Sequence, residues 1–476
     1  MDILFYSEGE RFVRKRIILL LDGTWNDSDF GPTDTNVVRL REAISKTLNA
    51  SGSGPAPISK AASTSLNFAD SQQLPSGSSG PKVSATVSDN LSNIVFYERG
   101  VGTGAFIDRF TGGAFGEGLA GNIRRAYKFL SFHYEPGDQI FIFGFSRGAY
   151  TARSLVGYIH AAGLLLQADC TADLEQEAWD FYRCPPNDRL PGEWAALTPH
   201  VHDRDKFRIA LLGVFDTVGA LGIPTSAFRI ANRDKYEFHD VELSATTDVN
   251  LHALAIDEQR EAFEATVWRR SKFKNFQTKT EQVWFSGVHA DIGGGYINEE
   301  LRSQNFENSL DDISLDWIIK RVKFHYKDFP INDSAWPPLD ENSLRKRLSA
   351  KVHRSRRGFY LLTPRAFRSI ANVPVPHRTV RLLPFLSSVN VGRDRHASII
   401  NESIHISALY TLSAPKRGRN KSLNLRTVLR KVEKSYSEQD FTIGVVGWSG
   451  ELLDPDSPTD RKMVIDALQE VNQLRC

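Results

Sequence analysis

The segment Gly144-Phe-Ser146-Arg-Gly148 lies between a short apolar run and a stretch with helical spacing. The apolar run, 140–143, has the length and character of a buried parallel strand, and the helical stretch covers 149–162. A tight turn from strand to helix strains its central residue, and the flanking glycines remove side chains that would collide with the neighbouring strand and helix. The pattern predicts a nucleophile elbow, with the Ser146 hydroxyl exposed at the carboxyl edge of a sheet.

Further apolar runs alternate with helical patterns along the chain. Such alternation is typical of a doubly wound sheet with right-handed crossovers. We therefore predict the α/β class, with a mostly parallel sheet and helices on both faces. Strands are predicted at 17–21, 94–97, 209–215 and 282–286, and helices at 36–48, 120–133 and 314–327.

Composition suggests how the 476 residues are organised. Residues 1–310 are predicted to form the catalytic domain, interrupted at 50–93 by a Ser/Gly-rich stretch that we expect to be a flexible insertion. Residues 311–476 are predicted to form a basic C-terminal region that packs on or extends this domain. Its segment 341–431 carries 20 lysines and arginines against 3 acidic residues, although the whole chain has a net charge of only +2.

Composition also excludes several classes of protein. A hydrophobic fraction of 41% and a charged fraction of 24% are a globular balance and exclude wholesale disorder. Three cysteines without a Cys-x-x-Cys pair make a disulfide framework or a structural zinc site unexpected, and their odd number favours a reducing compartment. No phosphate-binding loop pattern is present, so nucleotide binding is unexpected. We expect no cofactor and no metal.

The location of the protein is inferred from apolar segments. No run approaches the roughly 20 apolar residues of a membrane-spanning helix, and the acidic start of the chain is unlike a signal peptide. We expect a cytoplasmic protein that is peripheral to a membrane at most. Export without a signal peptide stays open.

A serine nucleophile needs a base, and the base needs an acid that fixes its tautomer. In sheets with such an elbow the order along the chain is Ser, Asp or Glu, then His, each after a strand. Asp216 directly follows the strand predicted at 209–215, and His289 lies in a Gly-rich loop after the strand predicted at 282–286. These residues are the predicted acid and base for Ser146.

Two rival acids stay open at this point. Asp291 lies in the same loop as His289, and Asp257 lies in the helical-looking stretch 252–260. A carboxylate three residues before Arg260 on a helix is typical of a structural ion pair. His252, on an apolar face, is predicted to be a core histidine.

Attack on a carbonyl also needs backbone N–H donors for the developing oxyanion. Arg147, the residue after the serine, is expected to give one donor. The loop after the first strand is expected to give the second, from Gly23 or Thr24. Asp22 either orients that loop or caps it.

Seven motifs follow one another along the chain: LDGTWN (21–26), TNVVRL (35–40), YERGVGTG (97–104), GFSRGAYTAR (144–153), GVFDTVGALG (213–222), HALAIDE (252–258) and WFSGVHADIGGGY (284–296). Together they resemble one family, the uncharacterised α/β-hydrolase family that includes the catalytic domain of type VI secretion phospholipase effectors. The resemblance implies an α/β-hydrolase fold, a Ser146–Asp216–His289 triad and lipase-like activity, because characterised effectors hydrolyse membrane phospholipids.

The leading hypothesis is a serine esterase that cleaves an acyl ester, with a lipid or phospholipid as substrate. The alternative is an inactive hydrolase-fold protein that binds anionic membranes or nucleic acid through its basic region. Anionic lipid is favoured over nucleic acid because it agrees with the hydrolase hypothesis. The expected membrane contacts are Arg345, Lys346, Arg347, Arg354, Arg356 and Arg357.

Overall fold

The computed structural model describes residues 15–23, 34–50, 55–56, 82–88, 91–98, 114–218, 243–260, 263–268, 278–296, 309–350, 352–356, 361, 368, 370, 401–413, 423–437 and 443–473. Within them the chain forms ten strands and eleven α-helices. The strands are β1 (Arg16–Leu21), β2 (Pro55–Ala56), β3 (Lys82–Ser88), β4 (Leu91–Glu98), β5 (Gln139–Phe145), β6 (Ile209–Phe215), β7 (Thr247–Ala255), β8 (Lys279–Phe285), β9 (Glu402–His405) and β10 (Gly444–Val446).

The helices alternate with these strands. They are α1 (Asn36–Ala50), α2 (Ala114–His133), α3 (Arg147–Ala162), α4 (Ala172–Arg183), α5 (Pro191–Leu197), α6 (His289–Gly293), α7 (Asp311–His325), α8 (Glu341–Arg347), α9 (Ile406–Ser413), α10 (Leu423–Ser437) and α11 (Pro458–Gln473).

All ten strands form one sheet in the order β10-β9-β8-β7-β6-β5-β1-β4-β3-β2. The eight strands from β10 to β4 are parallel, and β3 and β2 are added antiparallel at the edge. The chain leaves β1 towards β4 on one side and later leaves β5 towards β6 on the other. The sheet order therefore reverses between β1 and β5, where ligands of open α/β sheets bind.

The central strands are buried on both faces, as their continuous apolar sequences predict. In β1, Ile17 and Leu19 belong to the buried cluster that includes side chains of α2, α3 and α4, while Ile18 and Leu20 belong to the cluster that includes side chains of α1 and α7. Burying one such side chain contributes about 1.5–3 kcal/mol, so both helical layers hold this strand in place. The predicted α/β class with helices on both faces is confirmed.

The carboxyl ends of the central strands are level with one another. Leu21 of β1 is in register with Gly144 of β5, and Phe145 with Phe215 of β6. Ala255 of β7 is in register with Phe285 of β8. The residues that follow these strands therefore emerge along one edge of the sheet.

Two predicted segments differ in the structure. The stretch 252–260, predicted to be helical, begins inside strand β7 because residues 247–255 pair with β6 and β8 on both sides. Within the predicted insertion 50–93, residues 82–88 form β3, whose sequence alternates apolar and polar residues with the period of a strand. Most of the rest of that insertion lies outside the described residues.

The region after residue 310 contributes to the same sheet. Strand β9 pairs with β8, and β10 pairs with β9. The division of the chain at residue 310 stays a prediction. Among the described residues, none of the helices combines the length and apolar character needed to cross a bilayer.

Candidate active site

Ser146 occupies a sharp turn between β5 and α3. Its backbone has φ 58° and ψ −119°, a conformation that costs about 1–3 kcal/mol for a residue with a side chain. The Ser146 N–H donates to the Phe215 carbonyl oxygen (3.1 Å), and its carbonyl accepts from the Tyr150 N–H (3.1 Å). The strain is thus held by hydrogen bonds to β6 and to the first turn of α3.

The two glycines of the turn are required by close backbone contacts. A Cβ atom on Gly144 would lie 2.6 Å from the Gly148 carbonyl oxygen. One on Gly148 would lie 2.0 Å from the Leu21 carbonyl oxygen. Both distances are far below van der Waals contact, so any larger residue would displace the turn that carries Ser146.

His289 is the first residue of α6, and its side chain is fully buried. Its Nε2 atom lies 2.8 Å from Ser146 Oγ, and its Nδ1 atom lies 2.6 Å from Asp216 Oδ2. A carboxylate only accepts, so we assign the ring proton to Nδ1, which leaves Nε2 to accept from the hydroxyl. The rings of Phe145 and Phe263 pack on the imidazole, with centroids 4.7 and 4.9 Å away.

Asp216 follows β6 and is also fully buried, with φ 42°. Its Oδ1 atom accepts from the Ala255 N–H (2.9 Å), and both oxygens accept from the guanidinium of Arg368. Burial alone would raise the pKa of Asp216, but the Arg368 charge and the His289 hydrogen bond outweigh it and hold the pKa well below its ordinary value. Asp216 is therefore an anion that faces the imidazole.

The protonation of His289 follows from its surroundings. Burial lowers the pKa of His289 below 6.5, and the hydrogen bond and charge of Asp216 oppose this shift without cancelling it. The imidazole is therefore neutral near neutral pH, as a proton acceptor must be. The arrangement can remove the proton of the Ser146 hydroxyl and stabilise the resulting imidazolium.

The rival acids hold the loop that carries His289. Asp257 Oδ2 accepts from the Gly287 N–H (2.8 Å) and from the Ser286 hydroxyl (3.2 Å). Asp291 Oδ2 accepts from the Val288 N–H (2.9 Å). The described contacts of these two carboxylates are thus with the loop backbone and its neighbours.

Asp291 also joins this loop to the C-terminal region. Its Oδ1 atom lies 2.5 Å from His353 Nδ1, and its Oδ2 atom accepts from the His353 N–H (3.1 Å). The His353 ring stacks on Tyr296, with centroids 3.8 Å apart.

A second buried carboxylate supports His289 from the loop after β7. Glu258 Oε2 accepts from the His289 N–H (3.2 Å) and from Arg260 Nη2 (2.9 Å). Burial would raise the pKa of Glu258, but the Arg260 charge lowers it to about 2. Arg260 also lies over the Phe263 ring, 3.5 Å from its centroid. These contacts fix both the backbone and the ring of His289.

The three N–H groups predicted as possible oxyanion donors lie in different surroundings or outside the described residues. Arg147 begins α3 directly after Ser146, so its N–H belongs to the first turn of that helix. The Gly23 N–H, one of the two candidates for the second donor, donates to Asp22 Oδ1 (2.8 Å), and its role towards an oxyanion stays a prediction. Thr24 lies outside the described residues.

Asp22 holds the loop after β1. Its Oδ2 atom accepts from the hydroxyls of Thr35 (2.8 Å) and Tyr97 (2.9 Å). Burial raises the pKa of Asp22 to about 6, and these hydrogen bonds only partly offset the effect. The loop lies beside the elbow, because a Cβ atom on Gly23 would be 3.0 Å from Ser146 Cβ.

His252 is a buried histidine, as predicted, and its Nε2 atom lies 3.2 Å from the Thr217 N–H. Burial lowers its pKa from 6.5 to about 3. It therefore stays neutral and accepts this hydrogen bond from Thr217, the residue that follows Asp216 in the chain.

Only some of the basic residues predicted to contact membranes have exposed side chains in the structure. Arg347 is buried, and its Nε atom donates to Asp312 Oδ2 (2.6 Å). Arg345 donates to Glu341 Oε1 (2.7 Å) and to the Tyr410 hydroxyl (2.6 Å). The prediction for Arg347 is therefore wrong, because carboxylates of the fold neutralise charges that sequence alone leaves unpaired. Lys346 and Arg354 are exposed, Arg356 is half-buried, and Arg357 lies outside the described residues.

Sequence reasoning missed Arg368, and no motif surrounds it. Glu258 and Arg260 could have been identified from the sequence, because both lie within four residues of the HALAI run at the end of β7. In the part of the chain that the structure describes, no group of three or more His, Cys, Asp or Glu side chains could hold a metal ion.

Comparison with known proteins gives one family match. Residues 15–321 match the family of type VI secretion phospholipase effectors, Tle1-like, catalytic domain. The uncharacterized protein YEL023C of Saccharomyces cerevisiae is 29% identical over 196 residues, which are 37% of this chain and 27% of the yeast protein. The matched part thus spans about a quarter of that curated relative.

Two solved structures resemble the chain more distantly. The Tle1 effector bound to the VgrG spike of the type 6 secretion system is 19% identical, with a TM-score of 0.29 over 60% of this chain and 52% of that one. An uncharacterized protein from Pseudomonas aeruginosa is 14% identical, with a TM-score of 0.35 over 97% of this chain and 62% of that one. Since both TM-scores are low, the fold assignment rests on strand order and register.

Proposed function

The chain belongs to the family of type VI secretion phospholipase effector Tle1-like catalytic domains, and on that premise we propose that it is a serine hydrolase that cleaves acyl esters of phospholipids. The observation that carries the proposal is the continuous hydrogen-bond path from Ser146 Oγ through His289 to Asp216, with distances of 2.8 and 2.6 Å. Three side chains from three strand ends meet in the order that a hydroxyl nucleophile needs.

In the first half of the reaction, His289 Nε2 takes the hydroxyl proton as Ser146 Oγ bonds to the ester carbonyl carbon. The carbonyl oxygen becomes an anion, and the Arg147 N–H donates to it. His289 then gives its proton to the alcohol oxygen as the ester C–O bond breaks. The alcohol leaves, and the acyl group stays on Ser146.

In the second half, a water molecule replaces the alcohol. His289 takes one proton of the water as its oxygen bonds to the acyl carbon, and returns that proton to Ser146 Oγ as the acyl–enzyme bond breaks. Asp216 stays ionised throughout and stabilises the imidazolium that forms twice per turnover.

The experiment compares the wild type with Ser146→Ala on p-nitrophenyl butyrate and on vesicles of phosphatidylethanolamine and phosphatidylglycerol. We expect fatty acid and lysophospholipid from the wild type and a loss of about 10⁴-fold or more in kcat for the variant. Hydrolysis of p-nitrophenyl butyrate without hydrolysis of the vesicle lipids would support the esterase activity and exclude phospholipid as the substrate. Undiminished turnover by Ser146→Ala would exclude the mechanism.

The chain offers a matched control in a second buried serine–histidine pair. Ser407 Oγ lies 2.8 Å from His405 Nδ1, and both side chains are buried. Ser407→Ala removes a hydroxyl of the same kind at another place, so it should keep wild-type turnover. A loss in both variants would point to a general effect on folding.

Contact with an anionic membrane surface is a further part of the proposal, now restricted to the exposed Lys346 and Arg354. Each such charge contributes about 1 kcal/mol near an anionic surface. Lys346→Gln combined with Arg354→Gln should weaken sedimentation with phosphatidylglycerol vesicles and leave p-nitrophenyl butyrate turnover unchanged. Equal sedimentation of variant and wild type would exclude this contact.

A further inference from the structure

Arg368 lies beyond the residues 15–321 that match the family, yet its side chain reaches the centre of the site. It is 5% exposed, and its guanidinium donates to both oxygens of Asp216, with Nη2 2.9 Å from Oδ2. It also donates to the carbonyl oxygens of Ala255 (2.9 Å) and Phe263 (2.6 Å). The planar guanidinium thus joins Asp216 to the end of β7 and to the backbone of Phe263, whose ring packs on His289.

These bonds leave Asp216 little freedom to rotate. Its Oδ1 atom accepts from Arg368 and from the Ala255 N–H, and its Oδ2 atom accepts from Arg368 and from His289 Nδ1. Rotation of the carboxylate would break several charge-assisted bonds at once. The direction in which the acid holds the imidazole is therefore set by Arg368 as well as by β6.

The Arg368 charge also changes the electrostatics of the pair. A carboxylate beside an imidazole stabilises the imidazolium, and a cation on the same carboxylate weakens that effect. The other charged groups facing the imidazole, Glu258 and Arg260, form an ion pair of their own at 2.9 Å. The buried His252 is neutral, because burial lowers its pKa to about 3. Asp216 and Glu258 therefore each have their own guanidinium.

We propose that Arg368 is a positioning residue that fixes Asp216 against His289 and extends the pH range of the neutral, basic imidazole towards acid. This inference rests on the proposed serine hydrolase function. The described hydrogen bonds of Arg368 are with Asp216 and with the carbonyl oxygens of Ala255 and Phe263. It acts only through Asp216.

The test compares Arg368→Gln and Arg368→Lys with the wild type in pH profiles of p-nitrophenyl butyrate hydrolysis. For Arg368→Gln we expect a kcat lower by about 10- to 100-fold and an acid limb of kcat/KM displaced upward by about one pH unit, because the imidazolium is then favoured. Arg368→Lys keeps the charge but loses the fork of donors, so it should keep the wild-type limb and lower kcat. KM should change little in either variant.

The matched control is Arg321, another buried arginine that pairs with a carboxylate. Its Nε and Nη2 atoms donate to Glu281 at 2.7–3.1 Å, near the amino end of β8 and away from Ser146. Arg321→Gln should lower stability without moving the acid limb. A wild-type limb and kcat in Arg368→Gln, or equal limb shifts in Arg368→Gln and Arg321→Gln, would overturn the proposal. Should Arg368→Gln fail to fold, a wild-type kcat or a displaced limb in Arg368→Lys would overturn it.

A second readout separates this inference from the proposed function. The Nδ1 proton of His289 should give a low-field NMR signal, which can be titrated in the Ser146→Ala background without any turnover. Arg368→Gln should raise the titration midpoint there by about one pH unit. An unchanged midpoint would overturn the role of Arg368 even in an active esterase, and a raised midpoint would support it even if no ester is cleaved.

Discussion

Gly148 packs directly against the backbone of Leu21: a Cβ atom on Gly148 would lie 2.0 Å from the Leu21 carbonyl oxygen and 2.7 Å from the Asp22 carbonyl carbon. The contact joins the elbow after β5 to the loop after β1, across the point where the sheet order reverses. The atoms that a Cβ on Gly148 would meet are backbone atoms, which cannot move aside as the end of a flexible side chain can. The position of Ser146 therefore depends on the absence of a side chain two residues later.

Gly148→Ala should displace the elbow and lower kcat/KM on p-nitrophenyl butyrate by about 100-fold or more, since small misplacements of reacting groups are costly. It should also destabilise the fold by about 1–3 kcal/mol through overpacking. Gly157→Ala is the matched control in the same helix, where a Cβ atom meets nothing closer than 3.7 Å. That variant should keep activity and gain about 0.5–1 kcal/mol. Equal activity and stability in the two alanine variants would contradict the contact.

The strain at Ser146 predicts an order of stability among inactive variants. Ser146→Ala keeps a side chain at φ 58°, whereas Ser146→Gly relieves the strain. The glycine variant should therefore be more stable than the alanine variant by about 1 kcal/mol in urea unfolding. In the interior of a helix the same exchange would be destabilising, so an alanine variant of equal or greater stability would show that the turn is not strained.

The acid of the site can be identified by comparing carboxylates. Asp216→Asn should lower kcat by about 10⁴-fold, because an amide at this place favours the wrong tautomer of His289. Asp257→Asn and Asp291→Asn alter only the loop that carries the histidine and should lower kcat by at most about 100-fold. Steady-state kinetics on one soluble ester checks all three. A larger loss in Asp257→Asn or Asp291→Asn than in Asp216→Asn would reassign the acid.

Buried histidines should make the fold sensitive to acid. Burial lowers the pKa of His405 from 6.5 to about 3, so below pH 6.5 the unfolded chain binds a proton that the folded chain does not. Stability is therefore lost as the pH falls from 6.5 towards 3. His405→Gln should reduce the difference in unfolding free energy between about pH 7.5 and about pH 5 by about 2 kcal/mol. An unchanged difference in urea titrations would show that His405 already carries a proton when folded.

The local sequence pattern was sufficient to predict where the central strands end and that three side chains lie close together. Continuous apolar runs predicted β1, β5 and β6, and parallel strands in register bring the residues after them to one edge. Because Ser146, Asp216 and His289 each follow such a run, their proximity could be predicted from sequence. The family resemblance, which rested on the same motifs, is confirmed.

Two errors have physical causes that single-sequence patterns do not contain. The stretch from His252 onward has good helix formers, but pairing with β6 and β8 overrides that local preference. Arg368 lies 152 residues from Asp216 in the basic segment 341–431, where no pattern predicted a buried residue. Buried carboxylates of the fold account for both Arg368 and Arg347, and such long-range pairing has no local signal.

The central claim is that Ser146 is the group that becomes acylated. A fluorophosphonate reacts with an activated serine and leaves a stable adduct, which intact-mass and peptide mass spectrometry can locate. We predict one adduct, on the peptide that contains Ser146, in the wild type and in Ser407→Ala, and none in Ser146→Ala. An unlabelled wild type, or a label that persists in Ser146→Ala, would contradict the claim.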